Sequence, residues 1–144
     1  MTNIVGMTQV KLKISDEMMA AFDANMSEPD AIIIGAGVAG CSLAVALAKQ
    51  HRSIVLIERD MSEPDRIVGE LLQPGGVKAL HELGLGDCLE GIGAIPEYGY
   101  QVIYGDENVM VPYLRQDKFS CEGRSFHHGR FINNLRTAVK KYPQ

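Results

Sequence analysis

The chain has 144 residues, 46% hydrophobic and 22% charged, the composition of one ordinary folding domain, which excludes the disordered, collagen-like and disulfide-scaffold classes. A net charge of -4, with Lys and Arg scattered, leaves no electrostatic footprint for nucleic acid or an anionic membrane. Cys41, Cys88 and Cys121 cannot all pair and form no CxxC, so they are read as reduced thiols of a cytosol-facing chain.

Residues 1–29 are polar and Met-rich and are read as a variable leader, with a short helix over 14–26 carrying Met18, Met19 and Phe22 on one face. A secretory signal would need a basic start and an apolar core that Met1 to Val10 lack, so the sequon Asn25-Met26-Ser27 is expected to go unused. The pentapeptide MSEPD occurs at Met26–Asp30 and again at Met61–Asp65, too few copies for a repeat architecture and read as a turn signal used twice. Ala31–Ile34 is a short apolar run that predicts a strand buried on both faces. Gly35 to Gln50 then turns into a helix rich in small residues, with Lys49, His51 and Arg52 placing cations at its C-terminal dipole. The uncharged stretch Ala31–Ala48 reaches the lower edge of a bilayer-spanning length, about 17 to 25 residues. Its central glycines and β-branched opening fit strand, turn and helix better. Ile54–Ile57 predicts a second buried strand, which completes a βαβ unit with parallel strands and a right-handed crossover.

Beyond a loop after Arg59-Asp60, Pro74–Leu83 predicts a helix with Val77, Leu80 and Leu83 on one face, closed by Gly84. Tyr98, Tyr100, Val102 and Tyr104 alternate with Gly99, Gln101 and Ile103 in strand periodicity; a turn over Gly105–Asn108 and a return over Val109–Tyr113 make a β-hairpin inserted between the parallel elements. Arg130 to Tyr142 predicts an amphipathic helix with Phe131, Leu135, Ala138 and Val139 inward, Lys140 and Lys141 at its end and Pro143 as its stop.

The chemistry lies in Gly35-Ala36-Gly37-Val38-Ala39-Gly40, a GxGxxG directly after a strand and opening a helix, the context that this motif requires. Gly35 is assigned the tight turn, Gly37 the close approach of the backbone to a pyrophosphate and Gly40 the close packing of helix on strand. Free N–H groups at the helix start would face the phosphates. Glu58 closes the second strand near the spacing of roughly 20 residues expected for a ribose-binding acid. A carboxylate there disfavours the 2′-phosphate of NADP, an argument that Arg59 beside it softens. The ADP half is common to FAD and NAD, so the motif leaves the two open, and a glycine-rich turn with no ligand is the bland alternative.

Two further segments, DMSEPDRIVGELLQPGG at Asp60–Gly76 and GRSFHHGRF at Gly123–Phe131, resemble the squalene monooxygenases (squalene epoxidases), flavoproteins grouped with the aromatic hydroxylases; the similarity runs from about Asp30 to Pro143. The resemblance implies an α/β, Rossmann-type FAD/NAD(P)-binding βαβ domain with an inserted β-hairpin, over residues 30–144 and incomplete relative to the family. It implies FAD as cofactor, and epoxidation of squalene with dioxygen and electrons from NADPH delivered by NADPH-cytochrome P450 reductase. The expected setting is the cytosolic face of the endoplasmic reticulum membrane, reached through parts absent here, with no nucleic acid as partner. Carried over by position, Val38 and Ala39 resemble backbone contacts to the pyrophosphate, and Glu58 and Arg59 the ribose and adenine contacts. Arg66 resembles a partner of cofactor phosphate or ribityl oxygens with Leu71 packing nearby, and Arg130 a second cofactor-binding arginine. Gln73 and Tyr100 match positions lining the substrate side, where an amide and a phenol hold each other by a hydrogen bond. No catalytic residue is assigned to this part of the family's sequence, and no metal: His127 and His128, on an extended stretch, would point to opposite faces.

Two departures stand out. His51 occupies a position where the family usually has glycine in a left-handed conformation, and the family's enzymes are several times longer, with a second flavin motif and membrane-binding helices. A chain of this length is therefore expected to be inactive alone. The alternatives are a stand-alone dinucleotide-binding or regulatory module, and an NAD-dependent dehydrogenase, which would have no need of the flavin-side sequence Arg66–Gly76.

Overall fold

In the computed structural model, which describes residues 28–67, 69–114 and 122–142, the two apolar runs form β1 (Ala31–Ile34) and β2 (Ile54–Ile57). They pair in parallel, Ala31 opposite Ile54 and Ile34 opposite Ile57, joined through α1 (Val38–Ala48), so the βαβ unit stands as expected. The helix expected over 14–26, the sequon, Cys121 and Pro143 lie outside the described residues. The expectation that β1 is buried on both faces is corrected: Ile33 is buried, while Ile32 and Ile34 are 56% and 73% exposed. Successive strand side chains point to opposite faces, and the described helices cover only the face that carries Ile33 and Leu56.

The end of α1 shows why a residue with a left-handed backbone is needed. The His51 N–H donates to the Ala48 carbonyl at 3.0 Å and the Arg52 N–H to the Leu47 carbonyl at 3.1 Å, the two bonds of a Schellman motif, with His51 at φ 57. α2 (Pro74–Leu83) starts on a proline suited to the first helical position and ends in the same motif. There Gly84 at φ 70 donates to His81 at 2.9 Å, and Leu85 donates to Leu80 at 2.7 Å. The cations expected to serve the dipole of α1 are placed differently: its last turn holds no basic residue. Lys49 donates to the Leu83 carbonyl at the end of α2, and Arg52 pairs with Asp30 at 3.4 Å.

A three-stranded antiparallel sheet that the sequence did not announce follows, with β3 (Leu71–Leu72) and β4 (Ile95–Glu97) on either side of β7 (Gly123–Ser125). The hairpin is present as a separate ribbon of β5 (Gly99–Tyr104) and β6 (Glu107–Pro112), with Tyr104 opposite Glu107. Its loop is therefore Gly105-Asp106, shorter than the expected Gly105–Asn108. Gly105 at φ 58 meets the positive φ that a two-residue hairpin loop requires at its first central position.

The last helix, α3, runs His128–Val139, starting earlier and ending earlier than expected. Phe131, Leu135 and Ala138 are buried as anticipated, Val139 partly so, and Ile132 and Arg136 join them. The core lies between α1, α2, the 3-10 turn Gly86–Leu89 and α3, with Cys41, Val45, Leu80, Ile92, Phe131 and Leu135 among its residues. Cys41 and Cys88 are free thiols inside it; burial pushes the Cys41 thiol up to about 11 and raises that of Cys88. Among the described residues no helix is long and apolar enough to cross a membrane.

The contrast between two Schellman motifs, one closed by glycine and one by histidine, makes a test. An L-residue in the left-handed region costs roughly 1 to 2 kcal/mol, partly offset by the greater chain entropy that glycine loses on folding. His51→Gly is expected to stabilise the fold by about 0.5 to 1 kcal/mol, read as a rise of about 2 to 4 °C in the thermal midpoint. An unchanged or lowered midpoint would contradict the backbone assignment.

Candidate dinucleotide site

The three glycines of the loop differ in what surrounds them. Gly35 turns the chain at φ 103 and donates its N–H to the Ile57 carbonyl at 2.7 Å, stitching the loop to the end of β2. At Gly40 an added Cβ would lie 1.8 Å from the Gly35 carbonyl oxygen and 3.4 Å from Ile33 Cγ2, so helix, turn and strand meet there at backbone distance. Around Gly37 a Cβ would meet no described residue within 4 Å: among these the space above it is open. Gly37 is the N-cap of α1, no side chain caps that helix, and its first turn holds no acidic residue. The N–H groups of the first turn, at the exposed Val38 and Ala39, are thus left for an outside acceptor, and a helix N-terminus of this kind suits a phosphate.

Glu58 sits directly beneath this loop. Its Oε2 accepts the Ala36 N–H at 2.6 Å, its Oε1 accepts the Asp60 N–H at 3.0 Å, and the Arg136 Nη2 lies 3.7 Å away. The Asp60 N–H is the main cause that holds the Glu58 carboxyl below its ordinary range; the Ala36 N–H and the Arg136 charge act in the same direction, and partial burial opposes them. Each carboxylate oxygen has room for a second donor, so Glu58 can still accept from a ribose hydroxyl. Beside it opens a cavity of about 360 Å³ lined by Ala36, Leu56, Ile57, Met61 and Val139 along with Glu58. Arg59 is exposed and is not among the residues lining it.

Arg66 and Arg130, far apart in sequence, line one cavity of about 280 Å³. His127 and His128 line it too, which corrects the expectation that they diverge on an extended stretch. His127 occupies the N-cap position of α3 without a side-chain capping bond, His128 opens the helix, and the His128 Nδ1 stands 3.2 Å from the Gly69 carbonyl. Among the described residues no group of three or more His, Cys, Asp or Glu is placed to hold a metal ion. A third cavity, about 510 Å³, is lined by Leu71, Tyr100 and Tyr113 among others, and Glu70 borders both it and the arginine cavity. The Gln73 amide donates to the Tyr100 hydroxyl at 2.8 Å, the pairing expected from the sequence. Tyr100 meets Tyr113 edge to face, centroids 5.3 Å apart at 84°. Among the described residues the buried Tyr113 hydroxyl has no partner of hydrogen-bond geometry, while the nearby Tyr100 hydroxyl is the main cause pushing it up to about 12.

The residue that sequence reasoning missed is Arg136. It is 8% exposed, and its guanidinium donates through Nε to Ala36 at 3.1 Å, through Nη1 to Ser62 at 2.9 Å and through Nη2 to Asp60 at 3.0 Å, all backbone carbonyls. Its position four residues after Ile132 and one after Leu135 puts it on the apolar arc of α3, a signal that spacing alone carried.

Glu58 anchors two N–H groups with one side chain, so Glu58→Gln leaves one of them facing an amide N–H₂ and is expected to cost about 1 to 3 kcal/mol of stability at pH 7. A carboxyl lowered in the folded state contributes fully above its unfolded pKa of about 4.3 and loses that contribution as pH falls through the folded value. The difference between the parent chain and the variant in denaturant unfolding should therefore begin to narrow once pH falls below about 4.3. A gap that persists unchanged at pH 3 would contradict the charged role of Glu58.

Residues 30–65 fit the family model described as FAD dependent oxidoreductase. The chain is 53% identical over 117 residues to the squalene epoxidase of Schizosaccharomyces pombe, covering 81% of this chain and 26% of that protein. It is 59% identical over 116 residues to the squalene epoxidase of Aspergillus fumigatus, 79% of this chain and 24% of that one. Against the squalene monooxygenase of Mus musculus it is 48% identical over 122 residues, 82% and 21%. The chain thus spans about a quarter of the length of the curated relatives it matches. Among solved structures, a flavoprotein/dehydrogenase from Cytophaga hutchinsonii superposes with a TM-score of 0.70 at 22% identity, over 81% of this chain and 29% of that one. PqsL of Pseudomonas aeruginosa does so with a TM-score of 0.69 at 20% identity, over 81% and 32%. At these identities the structures establish the fold alone, a Rossmann-type α/β arrangement. Over about four-fifths of its length the chain is thus homologous to a stretch of the squalene epoxidases, with about half of the matched residues shared, and its nucleotide-binding segment is an FAD-binding one.

Proposed function

We propose that the chain is the FAD-binding portion of a squalene epoxidase, with residues 30–144 forming the first part of the FAD-binding domain after a variable leader at 1–29. The observation that carries this reading is the open cradle over Gly37, set against an uncapped helix start and the Glu58 carboxylate. In this reading the Val38 and Ala39 N–H groups bind the pyrophosphate and Glu58 accepts from the adenosine ribose, with Arg59 reaching toward the adenine. Arg66 and Arg130, on one cavity wall, take phosphate or ribityl oxygens, and a planar guanidinium is suited to such bidentate contacts. Leu71 packs beside the cofactor, and Gln73 and Tyr100 lie toward the substrate, the Gln73 amide fixing the orientation of the Tyr100 phenol.

Bound FAD supplies the oxygen-activating chemistry; the residues of this chain bind it, orient it and exclude water from one side. The reaction of the whole protein is then the epoxidation of squalene with dioxygen. Its electrons come from NADPH through NADPH-cytochrome P450 reductase, at the cytosolic face of the endoplasmic reticulum membrane. This chain by itself is not expected to carry out that reaction.

Titration of the purified chain with FAD, followed by quenching of flavin fluorescence with ADP as competitor, tests the assignment. Saturable binding displaced by ADP is expected. Gly37→Val places a side chain where none is now within 4 Å, so it should keep the thermal midpoint and weaken FAD binding at least about tenfold. Gly40→Ala drives a methyl into the Gly35 carbonyl, and should instead lower stability by about 1 to 3 kcal/mol. Undiminished FAD affinity in Gly37→Val, or a folded chain that leaves FAD and ADP free, would overturn the reading.

A further inference from the structure

Resting on the dinucleotide reading, we propose that Arg136 is a positioning residue of this site: with Glu58 it grips Ala36 from both sides and so aims the Gly37 N–H and the Glu58 carboxylate at the ligand. Glu58 takes the Ala36 N–H at 2.6 Å and Arg136 takes the Ala36 carbonyl at 3.1 Å. A trans peptide is planar, with its C=O and N–H pointing oppositely, so the Ala36 carbonyl held by Arg136 turns the N–H of Gly37 to the other side, away from that guanidinium. A glycine-rich loop has little of its own to fix that direction.

Arg136 is suited to this by its surroundings. Buried at 8% exposure, it spends its donors on three carbonyls from two chain segments, Ala36 on one side and Asp60 and Ser62 on the other. Those carbonyls are neutral, and the anionic side chain that stands closest to its charge is Glu58, at 3.7 Å. The pair therefore couples the loop, the end of β2 and the 60–62 segment. A lysine could keep the charge but not span three carbonyls in one plane. Arg136 acts here through Glu58 and the loop, so its loss should change which ligands are preferred, an effect that loss of packing alone does not produce.

The test compares ADP with 2′,3′-dideoxy-ADP, by titration calorimetry, on the parent chain, Arg136→Lys and Arg136→Met, with thermal unfolding recorded for each. The parent is expected to prefer ADP by at least about tenfold, the scale of one hydrogen bond to a charged acceptor. Arg136→Met should reduce that preference to less than about threefold, and Arg136→Lys should fall between, since it restores charge without the fork. If Arg136→Met does not fold, the intermediate preference of Arg136→Lys carries the same decision. A preference retained in the variants, with both ligands weakened equally, shows a structural role only and overturns the proposal. A parent chain that binds ADP without preferring it also overturns it, by removing Glu58 from the ribose. A parent chain that binds neither nucleotide instead refutes the dinucleotide reading, and this inference with it.

Discussion

Ala36 contributes one methyl group to the core, and yet its backbone is where the structure is tied together. Its N–H ends on Glu58 at the close of β2, and its carbonyl on Arg136 near the end of α3. Removing a partner from either bond strands a buried polar group, at a cost of about 1 to 3 kcal/mol. The βαβ unit thus depends on a helix that lies a hundred residues further along the chain. The glycine loop is the hub of the fold.

α3 does the same along its length. Gly129 lies so close to the Pro64 carbonyl that a Cβ would come within 2.5 Å of it, Asn133 donates to Glu63 at 2.9 Å, and Arg136 reaches Ser62 and Asp60. On another face Asn134 donates to the carbonyls of Cys88 and Glu90, both at 3.1 Å, docking the 3-10 turn. One helix therefore lays down the whole segment from Asp60 to Pro64 that leads to Arg66, while carrying Arg130 on its own first turn. That arrangement explains how two arginines far apart in sequence reach one cavity.

What could be read from the sequence was local. The βαβ unit announces itself through two apolar runs and a glycine turn, and the distinct roles of Gly35 and Gly40 reappear as a positive φ and a backbone contact. α2 was legible from its proline start and glycine end. The left-handed position of His51 was visible only by likeness to a family, since nothing in a histidine signals it. β3, β4 and β7 were not legible: strands of two or three residues carry no period, and each exists because a distant partner supplies its hydrogen bonds. One-sided burial of β1 was missed because an apolar run looks the same whether one face is covered or both. Arg136 was missed because charge argues for the surface, and only the three carbonyls converging on it, from segments remote in sequence, override that expectation.

The central claim is that the glycine loop and Glu58 form one half of a dinucleotide site. Backbone amide chemical shifts of the isotope-labelled chain during titration with ADP test it most directly. The account predicts saturable shifts concentrated at Gly37, Val38 and Ala39 and at Glu58 through Ser62, with the hairpin Gly99–Pro112 unmoved. Shifts centred on the hairpin, or none at the glycine loop while the chain remains folded, would contradict it.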